Sequence, residues 1–353
     1  MEFGLSKEQV LLQETISSFL TDSAPLDYVR AFARDGEGAD LWQGLSELGV
    51  SGLLISEKLG GVELGCLDTA LVAECLGYHA TPAPFLSSAV LLPLALRLGD
   101  IDASELLAQL ASGSLTAGTA IGEAIGARAD AGVQSSGGRL TGKALFALDS
   151  PADVYLVADG DKRLHLVRGD ATGLATRALT TVDKTRPTAE LVFVDTPAER
   201  ISDDPEVLLR VVDTGRVMLA ADTLGAAQHM LDRAVAYAKE REQFDRPIAQ
   251  FQAVKHMCSE MVAALEPCRA MVWYAGYALD SLPAEARLTA CHVKAHLSEV
   301  GRFVAKTATE VHGGMGYTDL MGLHYWFKRI GFDRQMLGAP ELVREEAARA
   351  QGL

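Results

Sequence analysis

Apolar positions follow a helical period at both ends of the chain and break into short β-type runs in the middle. After Ser6, the segment KEQVLLQETISSFL has apolar residues three or four positions apart, which places them on one face of an α-helix. Further helical segments continue to about residue 110, interrupted by the glycine-rich stretch SEKLGGVELG. The pattern therefore predicts a helical N-terminal domain over residues 1–112.

The middle of the chain is rich in residues that favour β-strands. Runs such as RLTGKALFALDS and TAELVFVDTP are separated by Gly, Asp and Pro at the spacing that is typical of an antiparallel sandwich or barrel. This pattern predicts a β domain over residues 113–203.

The last part of the chain is helical again, and its predicted helices are long. The segment RVMLAADTLGAAQHMLDRAVAYAKERE carries an apolar stripe, and the Ala and Gly residues beside it permit close packing between helices. The segment from Glu285 to Gly314 runs for more than six turns and stops at a double glycine. These segments predict a helical bundle over residues 204–353. The predicted fold class is α+β, with a helical domain, a β domain and a bundle in that order.

Composition and charge narrow the range of functions. The net charge of −15 argues against nucleic-acid binding, which needs a basic face, but it allows a phosphorylated ligand held by a local arginine. Five cysteines without a CxxC pair indicate buried apolar residues rather than disulfides or a zinc site. His292 and His296 have helical spacing but lack the intervening carboxylate of an HExxH motif, so we expect no metal. No apolar run approaches the ~20 residues of a membrane helix, and the N-terminus lacks a signal-like pattern, which predicts a cytoplasmic protein without a membrane span.

The stretch REQFDRPIAQFQ, residues 241–252, lies between two predicted helices. One interpretation is a helix-to-helix corner, in which Arg241 ends the first helix, Phe244 packs between the helices and Pro247 starts the second. The other interpretation is a ligand site, since an arginine, an aromatic ring and glutamines are concentrated there. The stretch alone leaves both open.

A second motif, EVHGGMGYT, ends the long helical segment at Gly313 and Gly314. Glycines commonly terminate helices, and they also let a ligand approach backbone N–H groups that no side chain shields. The motif follows a helix rather than a strand, so it is not the GxGxxG fingerprint of a Rossmann dinucleotide site. Again both interpretations stand.

Together these features resemble the acyl-CoA dehydrogenase family. The segment LGVSGLLISEKLGGVELGCLDTALVAECLG is similar to the family's N-terminal block, REQFDRPIAQFQAVKHM to its arginine-aromatic signature and EVHGGMGYT to its glutamine and glycine signature. The resemblance implies an N-terminal helical domain, a middle β-barrel or sandwich and a C-terminal four-helix bundle. It also implies an FAD that takes a hydride from the β-carbon of an acyl-CoA thioester, a glutamate that removes the α-proton, and an electron-transfer flavoprotein that receives the electrons.

The same resemblance implies that this chain contacts the ADP half of an FAD that serves a neighbouring subunit. An arginine would neutralise the pyrophosphate, and the glycines would admit the ADP group. The implied cofactor-binding residues are Arg241, Gln243, Phe244, Gln252, Glu310, Gly313 and Gly314.

The residues that perform the chemistry in the family are absent from the matching positions. Leu337 and Gly215 stand at the two places where the family has its catalytic glutamate, so we expect no catalytic residue in this chain. The middle-domain loop that binds flavin and thioester is replaced by TAIGEAIGARADAG. Phe146 replaces a tryptophan, and no hydroxyl residue follows it until Ser150. Glu310 stands where the family has glutamine.

These losses lead to the hypothesis of a non-catalytic subunit. The chain would resemble one half of the α2β2 acyl-CoA dehydrogenases of actinobacterial steroid side-chain degradation, and a homologous partner would carry the glutamate and the flavin-ring site. Two alternatives remain: a homo-oligomer with Glu123 or Glu341 as a displaced base, and a flavin-free scaffold on the same fold. A steroid side-chain thioester is the leading substrate, followed by a branched or medium-chain acyl-CoA.

Overall fold

Helices form both ends of the chain and strands form its middle, as the sequence predicts. The computed structural model describes residues 4–36, 39–126, 128 and 130–353. Helix α1 begins at the expected place because the Ser6 side chain accepts a hydrogen bond from the Gln9 N–H, and the Gln9 side chain accepts one from the Ser6 N–H. The helices before the sheet are α1 (Lys7–Ser23), α2 (Leu26–Asp35), α3 (Ala39–Glu47), α4 (Cys66–Tyr78), α5 (Leu92–Leu98) and α6 (Ser104–Ala111).

The middle segment forms one sheet of eight strands, with β2 paired to β3 beside the path β6-β7-β3-β1-β4-β5-β8. Its members are β1 (Ala117–Ala120), β2 (Gly132–Ser136), β3 (Arg139–Leu148), β4 (Val154–Ala158), β5 (Leu164–Arg168), β6 (Leu174–Leu179), β7 (Thr188–Pro197) and β8 (Glu199–Ser202), with the short helix α7 (Gly122–Ile125) after β1.

The sheet is mixed, so the expectation of purely antiparallel pairing is wrong for one pair of strands. Strand β1 runs parallel to β4, with Thr119 opposite Leu156, while its other neighbour β3 is antiparallel. Helix α7 and the β2–β3 hairpin lie between β1 and β4 in the chain and supply the long connection that a parallel pair needs. Every residue of β4 is buried, as its continuous apolar sequence VYLVA requires.

The C-terminal part is dominated by three long helices. They are α8 (Pro205–Glu240), α9 (Gln252–Ser281) and α10 (Pro283–His312), followed by α11 (Leu323–Gln335) and α12 (Pro340–Ala350). The chain divides into two compact units, one formed by residues up to Asp35 together with Ala70–Thr81 and Arg216–Leu353, the other by Gly36–Thr69 and Pro82–Gly215. The predicted ADP-side residues all lie in the first unit.

Small residues let helices approach closely within the first unit. A Cβ at Gly225 of α8 would lie 1.9 Å from the Glu74 carbonyl oxygen, and a Cβ at Gly77 of α4 would lie 2.0 Å from the Asp222 carbonyl oxygen. The two glycines therefore meet the backbone of the opposite helix, and any side chain would force α4 and α8 apart. This agrees with the close packing that the Ala- and Gly-rich sequence of α8 predicts.

A buried ion pair fixes α11 against α8. Arg329 donates from Nε to Asp222 Oδ1 at 2.8 Å and from Nη2 to Oδ2 at 2.6 Å, and its third nitrogen donates to the Thr81 carbonyl. Both side chains are almost fully buried, so neither can exchange its partner for water.

We predict that Arg329→Met destabilises the protein by roughly 3–5 kcal/mol, because it leaves the Asp222 carboxylate buried without its cation. Thermal unfolding followed by circular dichroism measures the change. The matched control is Arg349→Met, which removes an exposed pair with Glu345 and should leave the melting temperature nearly unchanged. Equal melting temperatures for the two variants would contradict the prediction.

Candidate cofactor site and the missing base

The REQFDRPIAQFQ stretch forms a small β-hairpin rather than a direct corner between helices. Strands β9 (Glu242–Gln243) and β10 (Arg246–Pro247) are antiparallel, and the two residues between them have φ of 56° and 59°. Two left-handed residues in succession define a type I′ turn and cannot continue a helix. Pro247 accordingly lies in β10 and does not start α9, which begins at Gln252 after a 3₁₀ turn over Ile248–Gln250.

The predicted ligand residues of this hairpin face solvent. Arg241 follows the last residue of α8, is exposed and has no carboxylate within ion-pair distance in the described part of the chain. Phe244 is 86% exposed, so it is not packed between helices as the corner interpretation expects; its ring makes a T-shaped contact with the Phe251 ring, at 6.1 Å between centroids. Gln243 and Gln252 are also exposed. The hairpin therefore presents these side chains to an outside ligand or chain.

The two glycines of the second motif are not explained by packing in this chain. Gly313 has φ 58° and ψ −140°, a conformation that only glycine adopts readily, whereas the φ of Gly314 is not positive. A Cβ at either position would meet nothing within 4 Å. For Gly314, neither the backbone nor a neighbouring atom within the described residues requires glycine, and the backbone beside it is open to close approach. This supports the ligand-approach interpretation.

A buried histidine supports the glycine turn from beneath and was missed from the sequence. The imidazole of His312 stacks on Tyr237 with centroids 4.6 Å apart, and its Nδ1 lies 2.7 Å from the Ala308 carbonyl oxygen. Burial lowers the pKa of His312, so it is neutral at pH 7 and Nδ1 donates the hydrogen bond. A Cβ at Gly316 would lie 2.6 Å from the Thr309 carbonyl oxygen, so this third glycine is required by packing.

The Glu310 carboxylate has a cationic neighbour on its own helix. Its oxygen lies 3.7 Å from Nζ of Lys306, one turn earlier in α10, and both side chains are largely exposed. The pair reduces the repulsion that an acidic residue would exert on a nearby phosphate. Among the described residues, no hydrogen bond or ion pair links Glu310, Gly313 or Gly314 to the hairpin. The predicted ADP-side residues thus form two separate clusters in the first unit, one on the hairpin and one at the end of α10.

Leu337, which the resemblance matches to the family's glutamate near the C-terminus, is buried. Leu337 is 4% exposed and has φ 53°, in the loop between α11 and α12. Its carbonyl oxygen accepts a hydrogen bond from Nε of the fully buried Arg216, at 2.8 Å. The same guanidinium donates to Oε2 of Glu346 at 2.6 Å, and Arg287 donates to that oxygen at 2.7 Å. These contacts hold the loop firmly, but the Leu337 side chain cannot accept a proton.

The comparisons with known proteins agree with this architecture. The models for the N-terminal and C-terminal domains of acyl-CoA dehydrogenases match residues 6–114 and 206–352. Acyl-CoA dehydrogenase IpdE2 of Mycolicibacterium smegmatis is 30% identical over 349 residues, which cover 97% of this chain and 99% of the relative. The chain belongs to the acyl-CoA dehydrogenase family.

Two solved structures of acyl-CoA dehydrogenase fold extend the comparison. A variant of the Tcur3481-Tcur3483 steroid ACAD matches with a TM-score of 0.89 and 26% identity, covering 98% of both chains. The FAD complex of PigA matches with a TM-score of 0.89 and 25% identity over the whole length of both chains.

Other carboxylates near the expected base positions of this acyl-CoA dehydrogenase chain are poor proton acceptors. Gly215, at the second family position, lies inside α8 and has no side chain to offer. Burial acts to raise the pKa of Glu346, but the hydrogen bonds and charges of Arg216 and Arg287 outweigh it and hold the pKa below its ordinary value. The pKa of the exposed Glu341 is also lowered, first by a backbone hydrogen bond at the start of α12 and then by Arg334, at 3.1 Å.

Within the second unit, Glu123 and Arg128 of the middle-domain loop TAIGEAIGARADAG contact strand β3. Oε1 of Glu123 accepts hydrogen bonds from the Leu145 N–H at 3.0 Å and from Arg128 at 2.9 Å. The Arg128 guanidinium lies over the Phe146 ring, 5.2 Å from its centroid. The hydroxyl of Ser150 is buried and bonded to the Tyr155 hydroxyl at 2.8 Å. Glu123, Arg128 and Ser150 thus each have a partner within the chain, whereas the Phe146 ring is 39% exposed.

The remaining sequence expectations concern metals, cysteines and membranes. Within the described residues, no cluster of three His, Cys, Asp or Glu side chains could hold a metal ion. All five cysteines are free, and four of them are buried. None of the helices in the described ranges is long and apolar enough to span a membrane.

We predict that Gly314→Ala and Gly316→Ala differ sharply in stability. Gly314→Ala should leave the melting temperature nearly unchanged, because its Cβ has open space and its φ is not positive. Gly316→Ala should cost roughly 1–3 kcal/mol, because its Cβ would meet the Thr309 carbonyl and His312. Calorimetry of the purified chain measures both. A similar loss of stability in the two variants would show that packing requires glycine at position 314 and would contradict the prediction.

Proposed function

We propose that this chain is the non-catalytic subunit of a heteromeric, FAD-dependent acyl-CoA dehydrogenase. It contributes the ADP half of a shared FAD site, and a homologous partner subunit contributes the catalytic glutamate and the flavin-ring site. One contrast carries the proposal: the residues predicted for the ADP side are exposed, and within the described residues Arg241 has no carboxylate at ion-pair distance, while the expected base position is occupied by the buried Leu337.

The residues of the ADP side suit an anionic dinucleotide. Arg241 offers a planar fork of N–H donors for the pyrophosphate, and Gly314 leaves the neighbouring backbone open to close approach. In an acyl-CoA dehydrogenase the flavin ring takes the hydride from the β-carbon of the thioester, and a carboxylate removes the α-proton. This chain supplies no such carboxylate, so the proton acceptor and the ring pocket come from the partner.

Several features support a partner and a class of substrate. Phe244 is 86% exposed beside the exposed Arg241 and Gln243, and aromatic residues together with arginine are enriched at protein interfaces, which favours burial of the ring against another chain. The likeness to the Tcur3481-Tcur3483 steroid ACAD, whose name joins two proteins, favours a heteromer and an acyl-CoA with a steroid-type side chain. The electrons would pass to an electron-transfer flavoprotein.

A homo-oligomer with a displaced base is the second candidate, and the contacts disfavour it. Glu341 is exposed and paired with Arg334, and Glu123 is bound to Arg128 and the Leu145 amide. Because a displacement of ~1 Å can cost ~100-fold in rate, neither would replace a positioned glutamate efficiently. A flavin-free scaffold is the third candidate, and it is distinguished by the visible absorbance of the complex.

The deciding experiment compares the purified chain with its co-expressed complex. A homologous chain that retains the glutamate and the middle-domain loop serves as partner, and flavin content and acyl-CoA oxidation with an artificial electron acceptor are measured. We expect the lone chain to lack dehydrogenase activity and stoichiometric FAD, and the complex to have both. Full activity and stoichiometric FAD in the lone homo-oligomer would overturn the proposal, and a colourless complex would favour the scaffold.

We predict that Arg241→Ala in the complex weakens FAD binding roughly tenfold to a hundredfold, the range expected for loss of a charge-assisted contact to phosphate. Flavin fluorescence during titration of the apo-complex with FAD measures the Kd. Because Arg241 is exposed, circular dichroism should show an unchanged fold. An unchanged Kd would contradict the prediction and would leave Arg241 only as the residue that follows α8.

A further inference from the structure

The register of the β9–β10 hairpin decides which side chains share a face. Gln243 lies opposite Arg246, and the Ile248 N–H donates to the Arg241 carbonyl, which continues the ladder by one more pair. Directly opposed residues point to the same side of a two-stranded ribbon, and side chains alternate along each strand. Arg241, Gln243 and Arg246 therefore lie on one face, while Glu242 and Pro247 lie on the other.

Arg246 is thus brought beside two residues that we assign to the ADP side. Its guanidinium lies over the Phe251 ring, 4.3 Å from the centroid, and the Phe244 ring makes a T-shaped contact with that same ring. Arg246 is exposed and, within the described residues, has no carboxylate within ion-pair distance, although Asp245 precedes it in the chain. The aromatic contact holds the guanidinium without neutralising its charge.

The charge of Arg246 offsets the acidic residues around it. The eight residues from Lys239 to Arg246 carry three basic and three acidic side chains, in a chain whose net charge is −15. Without Arg246 the stretch would be net negative and would repel a phosphate. A pyrophosphate diester carries two negative charges, so a single arginine leaves one of them unbalanced.

We propose that Arg246 is a second pyrophosphate-binding residue of this site, acting beside Arg241 on the ADP half of FAD. The inference rests on the proposed function, since it assumes that the hairpin faces a dinucleotide. Phe251 is the positioning residue: stacking on its ring fixes the guanidinium before the ligand arrives, which reduces the ordering that binding requires.

The test measures the Kd for FAD of the apo-complex with its partner subunit, by flavin fluorescence, and repeats the titrations at several salt concentrations. The variants are Arg246→Ala, Arg246→Lys and Phe251→Leu, with Arg241→Ala as reference. Arg344→Ala is the matched control, because it removes an exposed cation from α12, far along the chain from the hairpin. Competition by ADP is measured in parallel, because ADP contains the pyrophosphate and lacks the flavin ring.

We expect Arg246→Ala to weaken FAD and ADP binding by about tenfold and to reduce the salt dependence of the Kd, since one ionic contact is lost. Arg246→Lys should recover part of the affinity because it keeps the charge, and Phe251→Leu should cause a smaller loss. A purely structural arginine would not change the salt dependence.

The outcomes separate this inference from the proposed function. If Arg246→Ala behaves like Arg344→Ala while Arg241→Ala weakens FAD, Arg246 only packs on Phe251 and the inference is wrong, although the ADP site stands. If neither hairpin arginine affects FAD or ADP binding, the ADP assignment itself fails, and the inference fails with it.

Discussion

The buried guanidinium of Arg216 is the interaction on which the C-terminal unit depends. A fully buried cation is tolerated only when its donors are paired, and Arg216 binds the Leu337 carbonyl and the Glu346 carboxylate. These contacts join α8 to α12 and to the loop between α11 and α12. Arg287 of α10 adds a second cation to the same carboxylate. The loop that carries Leu337, the residue that the resemblance matches to the family's glutamate, is therefore firmly anchored.

The anchored loop and the outward-facing residues together are the basis for proposing a subunit that contributes one half of a shared site. Leu337, at the expected base position, is buried, and in the second unit Glu123 accepts a hydrogen bond from Arg128, whose guanidinium lies over the Phe146 ring. Among the described residues, the exposed Arg241 side chain has no carboxylate at ion-pair distance, and no atom lies within 4 Å of a Cβ built at Gly314. This contrast between a buried leucine and exposed ADP-side residues is the physical basis for proposing a shared site.

Most of the architecture could be predicted because it follows from periodicity. The capping box at Ser6, the close packing around Gly225 and the buried β4 strand each follow from local sequence. The parallel pairing of β1 with β4 could not be predicted, because strand direction depends on how a long connection crosses the sheet. The hairpin at Phe244 was also missed: a Phe-Asp pair lacks the glycine that normally signals a type I′ turn.

By itself the sequence determined the order of the structural segments, the resemblance to a family and the absence of a glutamate at Leu337 and Gly215, because these depend on residue identity and spacing alone. The tertiary structure decided which side chains are free to act. Whether Glu346 is a base or a fixed anion, and whether Gly314 serves packing or a ligand, depends on atoms that are distant in the chain or on open space beside them. The shared face of Arg241 and Arg246 likewise exists only once the sign of φ at the turn is known.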